Sequence, residues 1–203
     1  TNAMLQRRGA RTGLLITAGF EDTLLIGRVM ARTVGLSERE LTSPQTADRP
    51  PPLAPITLTR GVRERVDYQG RILCQLDLDE VAAQVDALVA AGIDALAVCL
   101  LWAFRNPAHE RAIRDLVRER YPHLYVVCSS DLVPVIGEYE RANTTVVNAF
   151  LGPTLDGYLG RLEEALAARG YRGELLIMQS LGGLAPAREV RRVPVATLLS
   201  GPV

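Results

Sequence analysis

The sequence predicts an α/β structure, a mixed sheet with flanking helices and a β-hairpin beside it. Three observations lead there. Short runs of near-continuous Leu, Val and Ile recur, as strands buried on both faces require. Between them lie longer segments whose apolar residues repeat at helical spacing. Gly or Pro closes each such segment before the next apolar run begins, which is the order of an α/β layer structure.

Thr12 to Thr17 (TGLLIT) is the first buried run. Ser43 to Pro55 then carries five prolines, which excludes a helix interior and reads as an extended surface connection. From Thr57 to Leu76 the chain alternates around Asp67-Tyr68-Gln69-Gly70. Val62, Glu64 and Val66 are in step on one arm and Ile72, Cys74 and Leu76 on the other, the pattern of a β-hairpin. The segment Asp77 to Ala91 reads as a helix with Leu78, Val81, Ala82, Val85, Leu88 and Val89 on one stripe. Asp77 caps it with Glu80 three residues on, and Gly92 ends it.

Ala95 to Leu101 (ALAVCLL) is the second buried run. Asn106-Pro107 reads as a cap followed by proline at the first helical position, with Ile113, Leu116, Val117 and Tyr121 as the stripe and Pro122 as the stop. Leu124 to Cys128 (LYVVC) is the third run and Glu174 to Met178 (ELLIM) the fourth. Between these two, a helix over about 154–169 turns Leu155, Tyr158, Leu159, Leu162 and Leu166 inward and closes at Gly170. The helical stretch upstream of it is expected to break at Gly152-Pro153, since proline cannot continue the hydrogen-bond ladder.

Composition narrows the chemistry. Among 203 residues, 23 basic groups balance 23 acidic ones, so no excess positive field exists to hold nucleic acid or an anionic membrane. Small molecules or other proteins are the expected partners. Every basic residue is Arg and none is Lys, a pattern that codon bias in a GC-rich genome explains. It excludes a Schiff-base amine, a PLP attachment point and the lysine of a Walker-type phosphate loop. Cys74, Cys99 and Cys128 sit far apart in apolar runs and read as small buried hydrophobes in a reducing cytosol. The longest apolar stretch, Ile93 to Phe104, contains Asp94 and falls short of the roughly 20 residues a bilayer requires. A cytoplasmic protein without a membrane partner is therefore expected. With only His109 and His123 available, no metal site is expected. His109 is assigned to a helix start and Trp102 to strand packing.

Two constellations can carry function. Gln179-Ser180-Leu181-Gly182-Gly183 follows an apolar run, where paired glycines either let backbone N–H groups approach an anion or merely supply a turn with positive φ. The second is Glu138, Arg141, Thr145 and Asn148, whose spacing places all four on one helix face. That face is either solvated or, because Thr and Asn are indifferent helix formers, the wall of a polar cleft.

The ordered segments TNAMLQRRGAR (1–11), ITAGFED (16–22), VRERVDYQG (62–70), AVCLLWAFRNPAHE (97–110), EYERANTTVVNAF (138–150), LLIMQSLGGL (175–184) and VRRVPVATLLSGP (190–202) resemble the hydantoinase A and 5-oxoprolinase family. The resemblance covers nearly the entire chain. It implies an actin-like, sugar-kinase-like (ribonuclease H-like) ATPase fold, with 1–134 as the remainder of an N-terminal domain and 135–203 as the first segment of the next. It also implies an ATP-dependent enzyme that opens cyclic amides such as hydantoins or 5-oxoproline through a phosphorylated intermediate. Acetone-type and acetophenone-type carboxylase subunits are the alternative within the family. A non-catalytic α/β association module is the alternative outside it.

ATP and Mg²⁺ are the implied cofactors, a hydantoinase B-type subunit the implied protein partner, and a small cyclic amide the implied substrate. By the resemblance, Ser180, Gly182, Gly183, Ser200 and Gly201 lie near the nucleotide. Glu138, Arg141, Thr145 and Asn148, with Thr1 and Asn2, lie near a substrate cleft. The family's glycine-rich phosphate loops are absent, and Leu181 stands where a polar residue is common. The chain therefore looks like an internal piece that neither hydrolyses ATP nor binds it tightly, and its exposed apolar surface is expected to favour homo-oligomers. The resemblance identifies no catalytic residue.

Overall fold

The structure, a computed structural model, describes residues 2–28, 35–43 and 51–200. Its strands, in chain order, are β1 (Thr12–Thr17), β2 (Thr59–Val62), β3 (Arg65–Val66), β4 (Ile72–Cys74), β5 (Ala95–Cys99), β6 (Tyr125–Cys128), β7 (Leu176–Met178) and β8 (Leu184–Pro186). The helices are α1 (Asn2–Leu5), α2 (Thr23–Ile26), α3 (Glu38–Leu41), α4 (Leu78–Ala90), α5 (Ala108–Arg120), α6 (Ser129–Leu132), α7 (Glu138–Ala168) and α8 (Ala187–Val190). Four strands make a parallel sheet in the order β2-β1-β5-β6. Antiparallel pairing is confined to two separate hairpins, β3-β4 and β7-β8.

Both faces of the parallel sheet are covered, as its continuous apolar runs require. Leu15 of β1 and Leu96 and Val98 of β5 point to one face, where Val81, Val85 and Leu88 of α4 and Ile113 and Val117 of α5 meet them. Their chain neighbours Leu14, Ile16, Ala95, Ala97 and Cys99 point to the other, against Ala142, Val146 and Ala149 of α7. Small side chains on both sides of this second contact draw α7 close to the sheet. A Cβ at Gly152 would lie 2.4 Å from the Tyr125 ring, so only glycine fits where α7 crosses β6.

The structure corrects several expectations. Strand β2 leaves the anticipated hairpin and joins the parallel sheet, so the hairpin is only β3 and β4 around the Asp67–Gly70 turn. Cys74, on an open hairpin strand, is exposed, whereas Cys99 and Cys128 are buried. Asp77 caps α4 by accepting from the N–H groups of Asp79 and Glu80, but the Glu80 carboxylate pairs with Arg63 at 3.0 Å. Leu78, in the first turn, lies outside the buried stripe. Residues 44–50 of the proline-rich connection lie outside the described residues, and at its end Leu53 and Ala54 pack into the α7-side core.

Helix α7 runs unbroken through Pro153. An interior proline costs about 3 kcal/mol, and burial anchors the helix on both sides of it. Upstream, Ala142, Val146 and Ala149 pack on the sheet; downstream, Leu155 and Leu159 pack on Ala185, Ala187 and Val190. Tyr158, expected inward, is exposed. The fourth apolar run becomes β7 of a two-stranded hairpin, so Leu176 and Met178 remain exposed while Leu175 and Ile177 turn toward α7.

Candidate functional site

Ligands of parallel α/β sheets gather beyond the carboxyl ends of the strands, and buried polar side chains converge there. Two carboxylates organise them. Glu64, just after β2, accepts from the Thr17 hydroxyl at 2.5 Å and meets His109 Nδ1 at 2.8 Å, and Thr17 Oγ1 in turn accepts from Leu101 N at 2.9 Å. Glu110 is fully buried and accepts from Leu100 N (2.8 Å), the Ser129 hydroxyl (2.7 Å) and Ser130 N (2.8 Å). Burial pushes the Glu110 carboxyl above the usual carboxylate range, against those donated hydrogen bonds. The neighbouring Cys99 thiol is pushed up to about 11 by burial, which makes it a poor nucleophile.

These side chains, with Arg141 from the first turns of α7, fix the exit of β5. Glu110 holds Leu100 N, an Arg141 guanidinium nitrogen donates to Leu100 O, and Thr17 holds Leu101 N. The next residue, Trp102, has φ 57°, left-handed backbone that a bulky residue seldom adopts without surrounding support. Its ring lies 5.4 Å from that of Phe104, and the Arg141 guanidinium stands 5.4 Å over Phe104. A cavity of about 180 Å³ opens there, lined by Phe20, Arg65, Trp102, Phe104, Glu138 and Arg141 among others. A larger hollow of about 860 Å³ lies at the opposite end of the sheet, around Asp94, Tyr121 and Tyr125. Three of its polar groups are engaged by neighbours outside its lining: Asp94 accepts from Arg11 N, and Arg120 and the Tyr121 hydroxyl both donate to Asp86.

Of the helix face anticipated from sequence, Arg141, Thr145 and Asn148 are buried against the sheet side of α7 rather than solvated. Glu138 and Arg141 line the smaller cavity. Thr145 donates to the Arg141 carbonyl at 2.6 Å, and Asn148 accepts from Val195 N at 3.1 Å. Asn2 is exposed at the start of α1, whose Ala3 and Met4 pack near Val147, Phe150 and Leu151. Thr1 and Gly201 lie outside the described residues.

The structure gathers Ser180, Gly182, Gly183 and Ser200 elsewhere. Residues 179–183 join β7 to β8, with Gly182 and Gly183 at φ 85° and 82°. The N–H groups of Gln179, Ser180 and Gly182 donate to the carbonyls of Gly183, Ala196 and Gln179, and the Ser180 hydroxyl accepts from Leu199 N at 2.9 Å. With those donors engaged in holding the turn, the residues present do not by themselves fit a triphosphate. Among the described residues, no group of three or more His, Cys, Asp and Glu is placed to hold a metal ion, and no helix is long and apolar enough to cross a membrane.

Sequence reasoning missed Glu64, His109, Glu110 and Trp102. One signal was available: Glu64 is in step with Val62 and Val66 on one arm of the anticipated hairpin, so burial and a polar partner were implied. The partner, His109, is 45 residues away and carried no local mark.

A parallel sheet covered on both faces, with a cavity at the carboxyl end of β5, defines an α/β domain with a candidate ligand site. The chain belongs to the hydantoinase/oxoprolinase family: the family's N-terminal region matches residues 1–121 and its hydantoinase/oxoprolinase domain matches 141–203. It is 38% identical over its full length to the acetophenone carboxylase gamma subunit of Aromatoleum aromaticum, covering 28% of that protein. Among solved structures, the ATP-dependent caprolactamase of Pseudomonas jessenii superposes with a TM-score of 0.86 at 33% identity, over 99% of this chain and 28% of that one. Nucleotide-free acetone carboxylase gives 0.84 at 31%, over 99% and 29%. The chain thus spans under a third of the length of these relatives.

Proposed function

We propose that the whole protein is an ATP-dependent hydrolase that opens cyclic amides of the hydantoin or 5-oxoproline type, and that it works in the cytoplasm with a hydantoinase B-type partner subunit. The observation that carries this reading is family membership along both segments, together with the likeness to an ATP-dependent caprolactamase, an enzyme named for a cyclic amide. In this reading residues 1–134 and 135–203 fall in successive domains. Glu138, Arg141, Thr145 and Asn148, with Thr1 and Asn2, belong to the substrate side. Ser180, Gly182, Gly183 and Ser200, with Gly201, belong to the nucleotide side, where further elements supply the phosphate and Mg²⁺ contacts. The 203 residues alone are then expected not to turn over ATP.

A second reading, a nucleotide-using carboxylase subunit, is favoured by the 38% identity to acetophenone carboxylase gamma. One assay separates the two. The full-length protein and its neighbour-encoded partner are given ATP with 5-oxoproline, hydantoin, or a ketone plus bicarbonate. ATP use that follows the cyclic amide supports the hydrolase, and use that requires bicarbonate and ketone overturns it.

A further inference from the structure

We propose that the cavity at the exit of β5 binds a small planar organic anion, a carboxylate carried on a flat ring, with Arg141 as its counter-charge. Arg141 is 1% exposed. Its guanidinium meets a carbonyl, the Cys99 sulfur and an aromatic face. Among the described residues no carboxylate lies within ion-pair distance of it, and its Nε has no hydrogen-bond partner. A buried cation left without an anion is costly, and Arg141 lines a cavity from which one can be supplied. Arg65, also on the cavity wall and in no ion pair among the described residues, adds a second positive charge 5.8 Å over the Phe20 ring.

The walls select the body of the ligand. Phe20, Trp102 and Phe104 present aromatic surface, and the planar guanidinium suits a flat, delocalised head. About 180 Å³ accommodates one ring and its carboxylate. The left-handed backbone at Trp102, held by Glu110, Thr17 and Arg141, keeps this indole at the cavity, so the strain has a use at the site it shapes. Glu138, also on the wall, repels a second negative charge and favours a monoanion.

This inference deepens the proposed enzyme by naming what its substrate side takes, and rests on that reading only for the purpose of the binding. Trp102 is the single tryptophan of the chain, so its fluorescence reports occupancy. The chain is titrated without nucleotide with benzoate, with benzamide as the neutral isostere and with acetate as the head without the ring. Saturable quenching by benzoate is expected, with benzamide and acetate each at least about tenfold weaker. Arg65→Gln is expected to weaken benzoate several-fold at an unchanged thermal midpoint, and Arg141→Lys to weaken it further. Should the buried Arg141 variant fail to fold, Arg65→Gln and the benzoate–benzamide pair still decide. Equal binding of acid and amide, equal binding of acetate and benzoate, or indifference to Arg65→Gln overturns the proposal. ATP turnover is read separately, so either reading can fail alone.

Discussion

Two strand exits of this molecule make their turns in opposite ways. Beyond β7 the chain reverses with Gly182 and Gly183, residues for which positive φ carries no Cβ penalty, and bonds largely to its own backbone. Beyond β5 it adopts positive φ at Trp102, and side chains from β1, α5 and α7 hold the adjoining peptides. The first turn closes mainly on itself, with Ser180 alone reaching outside it, to Ala196 O and Leu199 N. The second persists because distant residues over-determine it, and the cavity forms there. Glycine pairs draw attention in a sequence, yet the exit without glycine has the geometry of a site.

The largest test of this contrast removes a support from the β5 exit. Glu110→Ala leaves Leu100 N, Ser130 N and the Ser129 hydroxyl without their buried acceptor, at about 1–3 kcal/mol for each unsatisfied group. A loss of about 3 kcal/mol or more is expected in urea denaturation, whereas Leu181→Ala, at the fully exposed tip of the β7 turn, is expected to stay within about 0.5 kcal/mol. Similar losses at both sites would erase the distinction. Next in size, Gly182→Ala forces a Cβ into left-handed backbone at φ 85° with open space around it, so only conformational strain of about 1–2 kcal/mol is expected. A neutral result would show that the β7 turn relaxes freely.

The sequence revealed elements whose determinants are local. The Thr12–Thr17 run, the Asp77 cap and the Ile113, Leu116, Val117 stripe each sit within a few residues, and the corresponding strand and helices formed. It misled where tertiary context decides. An apolar run such as Leu175–Met178 becomes a buried strand only when elements cover both faces, and Pro153 breaks a helix only when neither side is anchored. In the candidate site Glu138 and Arg141 were legible from helical spacing. The supports were not, because Glu64 with His109 and Glu110 with Ser129 pair across 45 and 19 residues.

The pH dependence of stability separates the buried carboxyl from the exposed ones. Burial raises Glu110 above its unfolded value, so the folded chain retains a proton there that the unfolded chain releases. Its contribution is fully present below the unfolded carboxyl range and is lost as pH rises through the folded value. Glu110→Gln is expected to flatten that part of the profile in denaturation series from acid to neutral pH, at a cost near one hydrogen bond, about 1 kcal/mol. An unchanged slope would mean that Glu110 does not carry it.

The smallest expected effect has the opposite sign and lies far from the pocket. Hydrogen bonds from Arg120, and then from the Tyr121 hydroxyl, hold the Asp86 carboxyl below its usual range. Stability from this group is present above the unfolded value and fades as pH falls through the folded one. The site is solvent-exposed, so salt screens it. Asp86→Asn is therefore expected to lower stability slightly at neutral pH and low salt, and the difference is expected to shrink both in acid and at high ionic strength. Glu110→Gln is expected to show no such salt sensitivity, because its carboxyl is reached by hydrogen bonds inside the protein rather than by a field through water. If the two variants respond to salt alike, burial is not what distinguishes the support of the β5 exit from an ordinary surface pair.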